Sequence, residues 1–256
     1  KAIKEVKVFG TANIVASSKE SNFTYVPKDY VIPEDSAYFH CTSNNTIYGT
    51  QWQDLQPFYE YGVPLVADMS SDVFSRVIDF NKFDIIYAGA QKNIGAAGVN
   101  LVVINKNILG KVERKIPGIM DYRNHIENGS MLNTPPVFAV FVCMLTLRWL
   151  KNNGGVAAVE QLNKRKATLL YETLDNSSLF KATVAREDRS TMNACFIMPD
   201  KEKEKQFMDL CKEHNFYGIK GHRTTGGFRI SMYNALKYES VVALTDLMKD
   251  FEQKHG

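Results

Sequence analysis

Residues 83–95 read Phe83-Asp84-Ile85-Ile86-Tyr87-Ala88-Gly89-Ala90-Gln91-Lys92-Asn93-Ile94-Gly95. The first half is apolar without alternation, and the second is a bend of small residues holding one lysine. A short apolar run of that kind suits a strand covered on both faces, as in a mostly parallel sheet flanked by helices. Small residues in the bend let another molecule come close to the backbone. A lysine just past a core strand has an amine that can be desolvated, which lowers its pKa and makes it nucleophilic. Taken alone, the segment fits a surface lysine in a loop equally well.

Working outward, Pro64-Leu65-Val66-Ala67 is a second apolar run, ending on Asp68-Met69-Ser70-Ser71. A carboxylate at the end of a parallel strand points towards the crevice where α/β sheets bind ligands. The plainer reading is a turn former or helix cap. Similar runs at Val6–Phe9, Tyr38–Cys41 and Val99–Ile104 complete the expected strands. Thr134-Pro135-Pro136 predicts a helix start, with Thr134 as N-cap, running to about Trp149. Asn152-Asn153-Gly154-Gly155 then marks a domain boundary, dividing the chain into 1–152 and 153–256.

Beyond the glycines, Val156, Val159, Leu162, Leu169, Leu170 and Leu174 fall near helical spacing. A strand at Met192–Met198, a helix over Lys201–His214, short strands at Tyr217–Lys220 and Phe228–Met232, and a last helix with Val241, Leu244, Met248 and Phe251 on one face follow. The fold class is α/β: a larger domain with a mainly parallel sheet, then a smaller α+β domain.

Composition narrows the function. With 31 Lys+Arg against 28 Asp+Glu among 256 residues, the net charge of +3 gives no footprint for nucleic acid. The longest apolar stretch, Pro136–Leu150, is too short for a bilayer and contains Arg148. Cys41, Cys143, Cys195 and Cys211 are scattered, which argues against structural zinc and fits small core residues in a reducing cytoplasm. No metal-binding histidine spacing, P-loop or G-x-S-x-G is present, and Gly95–Gly98 is too little for a dinucleotide fingerprint. A lysine and a carboxylate on consecutive strand ends are what pyridoxal phosphate needs: the lysine as Schiff-base partner, the carboxylate to keep the pyridine nitrogen protonated.

Five segments in order carry a resemblance over nearly the whole chain. They are Ala67–Ser71, Ile86–Gly95, Asn133-Thr134-Pro135-Pro136, Arg189-Ser190-Thr191-Met192-Asn193 and Gly221-His222-Arg223-Thr224-Thr225-Gly226-Gly227-Phe228-Arg229. On these the chain resembles the phosphoserine aminotransferases, class V enzymes of fold type I that use pyridoxal 5′-phosphate. The resemblance implies Lys92 as Schiff-base lysine and proton carrier, and Asp68 as partner of the pyridine nitrogen. It implies Thr46 on the ring oxygen of the cofactor, and Gln91 and Ser70 near its phosphate. Asn133 and Thr134 would reach the phosphate of a partner subunit's cofactor, so a homodimer with shared sites is implied. Arg229 would clamp the substrate α-carboxylate, and His222 with Arg223 would receive its second anionic group.

Glutamate and 3-phosphohydroxypyruvate are the implied substrates, with a related role in pyridoxine synthesis and a cytoplasmic location. The family pattern continues upstream of Lys1, so the chain is expected to be about the C-terminal two-thirds of a longer one, with part of the cofactor cradle missing. Rival readings are another class V aminotransferase or desulfurase, and an impaired, cofactor-free dimeric scaffold.

Overall fold

The computed structural model describes residues 2–55 and 62–256. Lys1, on which the expected truncation turns, lies outside them. Four strands, β1 (Phe39–Thr42), β2 (Leu65–Asp68), β3 (Ile85–Gly89) and β4 (Asn100–Ile104), form one sheet in the order β1-β2-β3-β4. β1, β2 and β3 are parallel, whereas β4 runs antiparallel to β3. In register, Cys41 sits beside Ala67 and Ala67 beside Ile86, so these side chains share one face. That face is the core, closed by Leu65, Ala88, Phe83, Ile94 and Cys143.

The other face carries His40, Val66, Asp68, Ile85 and Tyr87, all half-buried. Burial therefore alternates along β2, contrary to the expectation of cover on both faces. Unbroken apolarity marks strands able to be covered twice; what covers them is decided by the rest of the fold.

A second sheet, in the order β5-β6-β7, is antiparallel throughout: β5 (Lys181–Ala182), β6 (Asn193–Ile197) and β7 (Phe228–Ser231). Its helices are α4 (Gly155–Asn176), α5 (Lys201–Glu213) and α6 (Tyr238–His255). α5 starts where Asp200 accepts hydrogen bonds from the backbone N–H groups of Glu202 and Lys203, satisfying two of the donors a helix leaves free. Phe180, Phe196, Phe207, Phe228 and Phe251 pack with Leu170, Leu174, Val241, Leu244 and Met248 in the core between them. The remaining helices are α1 (Ala2–Phe9), α2 (Tyr122–Glu127) and α3 (Val137–Asn152).

Three expectations need correction. Val6–Phe9 is not a strand but the end of α1; four apolar residues do not tell strand from helix, and none of α1 is buried. Thr134 does not cap α3, which begins at Val137 with Pro136 in the cap position and no side-chain cap bond. Each proline pushes its predecessor towards extended backbone, so the helix waits until both are passed. Tyr217–Lys220 is not a strand: Gly218 has φ +73°, and Lys220 alone forms a bridge, to Phe228.

Candidate active site

Lys92 lies in a single helical turn after β3, closed by hydrogen bonds from Ile94 N–H (3.1 Å) and Gly95 N–H (2.7 Å) to the Ala90 carbonyl. Gly95 is required there: a Cβ would stand 2.9 Å from both the backbone N and Cα of Cys143, so α3 meets this turn backbone to backbone. Lys92 Nζ donates to Thr46 Oγ1 at 2.6 Å. Burial pushes the Lys92 amine below its usual value; Asp68 and Asp72 oppose that shift, and the Arg229 charge adds to it.

Asp68 closes β2 one strand away, level with Tyr87. Its Oδ1 accepts from Ser70 N–H at 3.0 Å. Ser70 Oγ in turn accepts from Gly89 N–H at 3.1 Å, tying the ends of β2 and β3 together. The loop bearing Thr46 is fixed by the three-stranded module. Asn44 Nδ2 donates to Asn193 Oδ1 (2.9 Å) and to Ser71 Oγ (2.8 Å), and Ser190 Oγ donates to Asn44 Oδ1. Gly49, at φ +82°, lets this loop touch β6: a Cβ there would lie 2.8 Å from the Asn193 carbonyl oxygen.

Arg229 projects from the middle of β7, half-buried, and its Nε is buried without a partner among the described residues. A desolvated, unpaired guanidinium N–H calls for an anionic acceptor. His222 and Arg223 occupy the tip of the hairpin leading into β7, where Gly221 N–H donates to Gly227 O at 2.8 Å and Arg229 N–H to Ile219 O at 2.8 Å. His222 Nδ1 is 2.7 Å from Thr224 Oγ1, and Arg223 is exposed.

The structure thus brings Lys92, Thr46, Asp68 and Arg229 into one electrostatic neighbourhood. Gln91 is exposed beside Lys92, whereas Asn133 and Thr134 are exposed on the chain leading into α3. A desolvated amine, a carboxylate at the neighbouring strand end and a hydroxyl bonded to the amine fit pyridoxal phosphate in the chemistry of their donors.

Sequence reasoning missed Asp72, which is fully buried. It takes hydrogen bonds from Ser43 Oγ and Gln51 Nε2 and an ion pair at 3.3 Å from Arg76. Burial raises its pKa despite those partners. A carboxylate one turn after Asp68 on a buried segment was the signal available. It also missed the bond between His40 and Tyr87, whose partners are 47 residues apart.

The family model for class-V aminotransferases matches residues 1–244. The chain belongs to the class-V aminotransferase family. The relatives it matches are phosphoserine aminotransferases. That of Flavobacterium johnsoniae is 55% identical over 253 residues, covering 99% of this chain and 70% of the relative. The solved phosphoserine aminotransferase of Bacillus circulans subsp. alkalophilus superposes with a TM-score of 0.95 at 38% identity, over 100% of this chain and 71% of that one. A pyridoxal-phosphate-bound phosphoserine aminotransferase from Trichomonas vaginalis gives a TM-score of 0.90 at 37% identity, over 97% of this chain and 71% of that one.

Proposed function

We propose that the protein transfers an amino group between L-glutamate and 3-phosphohydroxypyruvate, giving 2-oxoglutarate and O-phospho-L-serine, with pyridoxal 5′-phosphate as cofactor. The observation that carries this reading is Lys92 Nζ held on Thr46 Oγ1 within the field of Asp68 and Arg229, in a chain about half identical to phosphoserine aminotransferases. The reaction belongs to serine biosynthesis, and a phosphorylated analogue would serve pyridoxine biosynthesis.

Bound pyridoxal phosphate supplies an electron sink for the charge left at the substrate Cα. Lys92, its amine lowered in pKa by burial, takes the proton from that carbon and returns it one atom away, as base and then acid. Asp68 holds the proton on the pyridine nitrogen. Thr46 donates to the ring oxygen, and Gln91 and Ser70 stand at the phosphate. Arg229 grips the α-carboxylate with two parallel hydrogen bonds and so orients the Cα–H bond. His222 and Arg223, at the hairpin tip, take the substrate's phosphate or the glutamate side chain.

Asn133 and Thr134 belong to the phosphate of the partner subunit's cofactor, in a homodimer. Exposed apolar residues on the next helix, Val137, Phe138 and Phe141, support pairing of two copies. Residues 1–152 would form the cofactor-binding part and 153–256 the small domain. Four free, buried thiols suit the cytoplasm, and no helix among the described residues is long and apolar enough to cross a membrane.

The test is glutamate-dependent formation of phosphoserine by the protein supplied with pyridoxal phosphate. Lys92→Ala is expected to abolish borohydride-stable attachment of the cofactor and to lower turnover about 10⁴-fold. A protein that takes up no cofactor, or a Lys92→Ala variant of normal rate, overturns the reading.

A further inference from the structure

The half-buried face of the four-stranded sheet contains an arrangement that the roles above leave unused. His40 on β1 and Tyr87 on β3 lie on the same side as Asp68, which separates their strands. Although β2 runs between them, His40 Nε2 and Tyr87 Oη are 2.9 Å apart, with ring centroids 6.0 Å apart. The two rings therefore meet over β2 at its carboxyl end. Tyr87 is the register neighbour of Asp68, and the phenol faces that carboxylate.

The direction of each bond follows from donor count. A tyrosine hydroxyl has one proton, and a carboxylate can only accept. With Asp68 as the acceptor of that proton, Tyr87 Oη is left to accept from His40, which must then carry its proton on Nε2. Burial favours that neutral imidazole by pushing the His40 pKa down, against the pull of Asp68. Burial and the Asp68 charge likewise hold the phenol protonated, raising its pKa.

We propose that Tyr87 and His40 are positioning residues for the amino-group transfer: His40 Nε2–H donates to Tyr87 Oη, Tyr87 Oη–H donates to Asp68, and the chain fixes the carboxylate that meets the pyridine nitrogen. Ser70 N–H anchors Oδ1 at 3.0 Å from the other side. A short carboxylate gripped at two points cannot rotate away from a ring nitrogen, and supporting bonds of this kind set the precision of a site. The inference rests on the assignment of Asp68 in the proposed function.

The test compares Tyr87→Phe, His40→Ala, His40→Gln and Asp68→Asn in the full-length protein. Dissociation of pyridoxal phosphate is followed by protein fluorescence, and kcat and KM for glutamate are measured separately. Tyr87→Phe, which keeps the ring, is expected to weaken cofactor binding and lower kcat about tenfold each, leaving the KM for glutamate unchanged. His40→Ala is expected to show the same split. His40→Gln, whose amide N–H replaces the lost donor, is expected to recover most of it. Because the residues act in series, Tyr87→Phe combined with His40→Ala is expected to be no worse than Tyr87→Phe alone.

Unchanged cofactor affinity and kcat in Tyr87→Phe, or strictly additive losses, overturns the relay. If Asp68→Asn binds cofactor and turns over normally, the assignment of Asp68 falls with it. If Asp68→Asn fails while Tyr87→Phe and His40→Ala do not, the relay alone is wrong. Melting temperatures measured alongside detect a folding defect, and His40→Gln recovery then decides the case.

Discussion

The two sheets of this molecule are built for different tasks. The three-stranded module closes on a phenylalanine cluster in which Phe180, Phe196, Phe207, Phe228 and Phe251 are all at most 3% exposed. Ring centroids lie 4.8 Å apart for Phe180 and Phe207 and 5.2 Å for Phe207 and Phe251, close to the favourable edge-to-face arrangement. The four-stranded sheet has small residues at its buried centre, Ala67, Ala88 and Ala90, and leaves His40, Asp68 and Tyr87 on a half-open face. Aromatic burial gives the first its stability. Small residues and desolvated ionisable groups give the second its chemistry, at some cost in packing. The contrast teaches that a site is made precise by borrowing rigidity: Asn44 is held by Asn193 and Ser190 of the stable module, and Thr46, two residues on, holds Lys92.

Substitutions can break or sharpen that contrast. The largest effect is expected from Phe207→Ala, which should cost about 4 kcal/mol in equilibrium urea unfolding. A loss below about 1 kcal/mol would remove the distinction between the sheets. Arg229→Gln sharpens it, because Arg229 belongs to the stable module by position and to the site by charge. Its kcat/KM for glutamate should fall about 100-fold, or ~2.7 kcal/mol, with the melting temperature nearly unchanged. An unaltered glutamate affinity counts against its role as a clamp.

Lys166 tests the stable module itself. It is fully buried on α4, and its Nζ donates to the carbonyls of Met232 (3.1 Å), Tyr233 (3.0 Å) and Leu236 (3.1 Å). Burial lowers its pKa from 10.5 to about 8. Between those values the unfolded chain keeps a proton that the folded one has released, so stability rises with pH across that window. Lys166→Met should cost about 2 kcal/mol at neutral pH, through three orphaned carbonyls, and should abolish the rise. Denaturant unfolding at pH 7 and pH 10 reads both. The smallest effect on folding is expected from Phe138→Asp on α3, where the ring is 76% exposed: within about 0.5 kcal/mol. In sedimentation the same variant should turn a dimer into monomers, and an unchanged dimer removes this face from the pairing surface.

Much of the site was legible because its residues sit at the ends of short apolar runs. Asp68 and Lys92 follow β2 and β3, and an open sheet presents strand ends on one rim. α6 was legible for a related reason: the spacing of Val241, Leu244, Met248 and Phe251 matches the helical period, and all four are buried. Where a local signal had two physical solutions, the sequence left them tied. Val6–Phe9 is apolar enough for a strand, but forms part of a helix. Thr134 is a good cap residue, but its prolines delay the helix. Lys166 reads as a solvated charge on a helix and is buried because three carbonyls converge on it from the turn after β7.

The sequence by itself determined the α/β class, the order of the elements in the three-stranded module apart from the short β5 and the absent strand before β7, and the presence of a lysine and a carboxylate at neighbouring strand ends. These are set by local composition and period. Only the tertiary structure decided the antiparallel edge strand β4, the half-open face of the sheet, the unpaired Nε of Arg229, the burial of Asp72 and the meeting of His40 with Tyr87 over β2. Each depends on groups far apart in the chain, and desolvation and hydrogen-bond partnership exist only once those groups have been packed together.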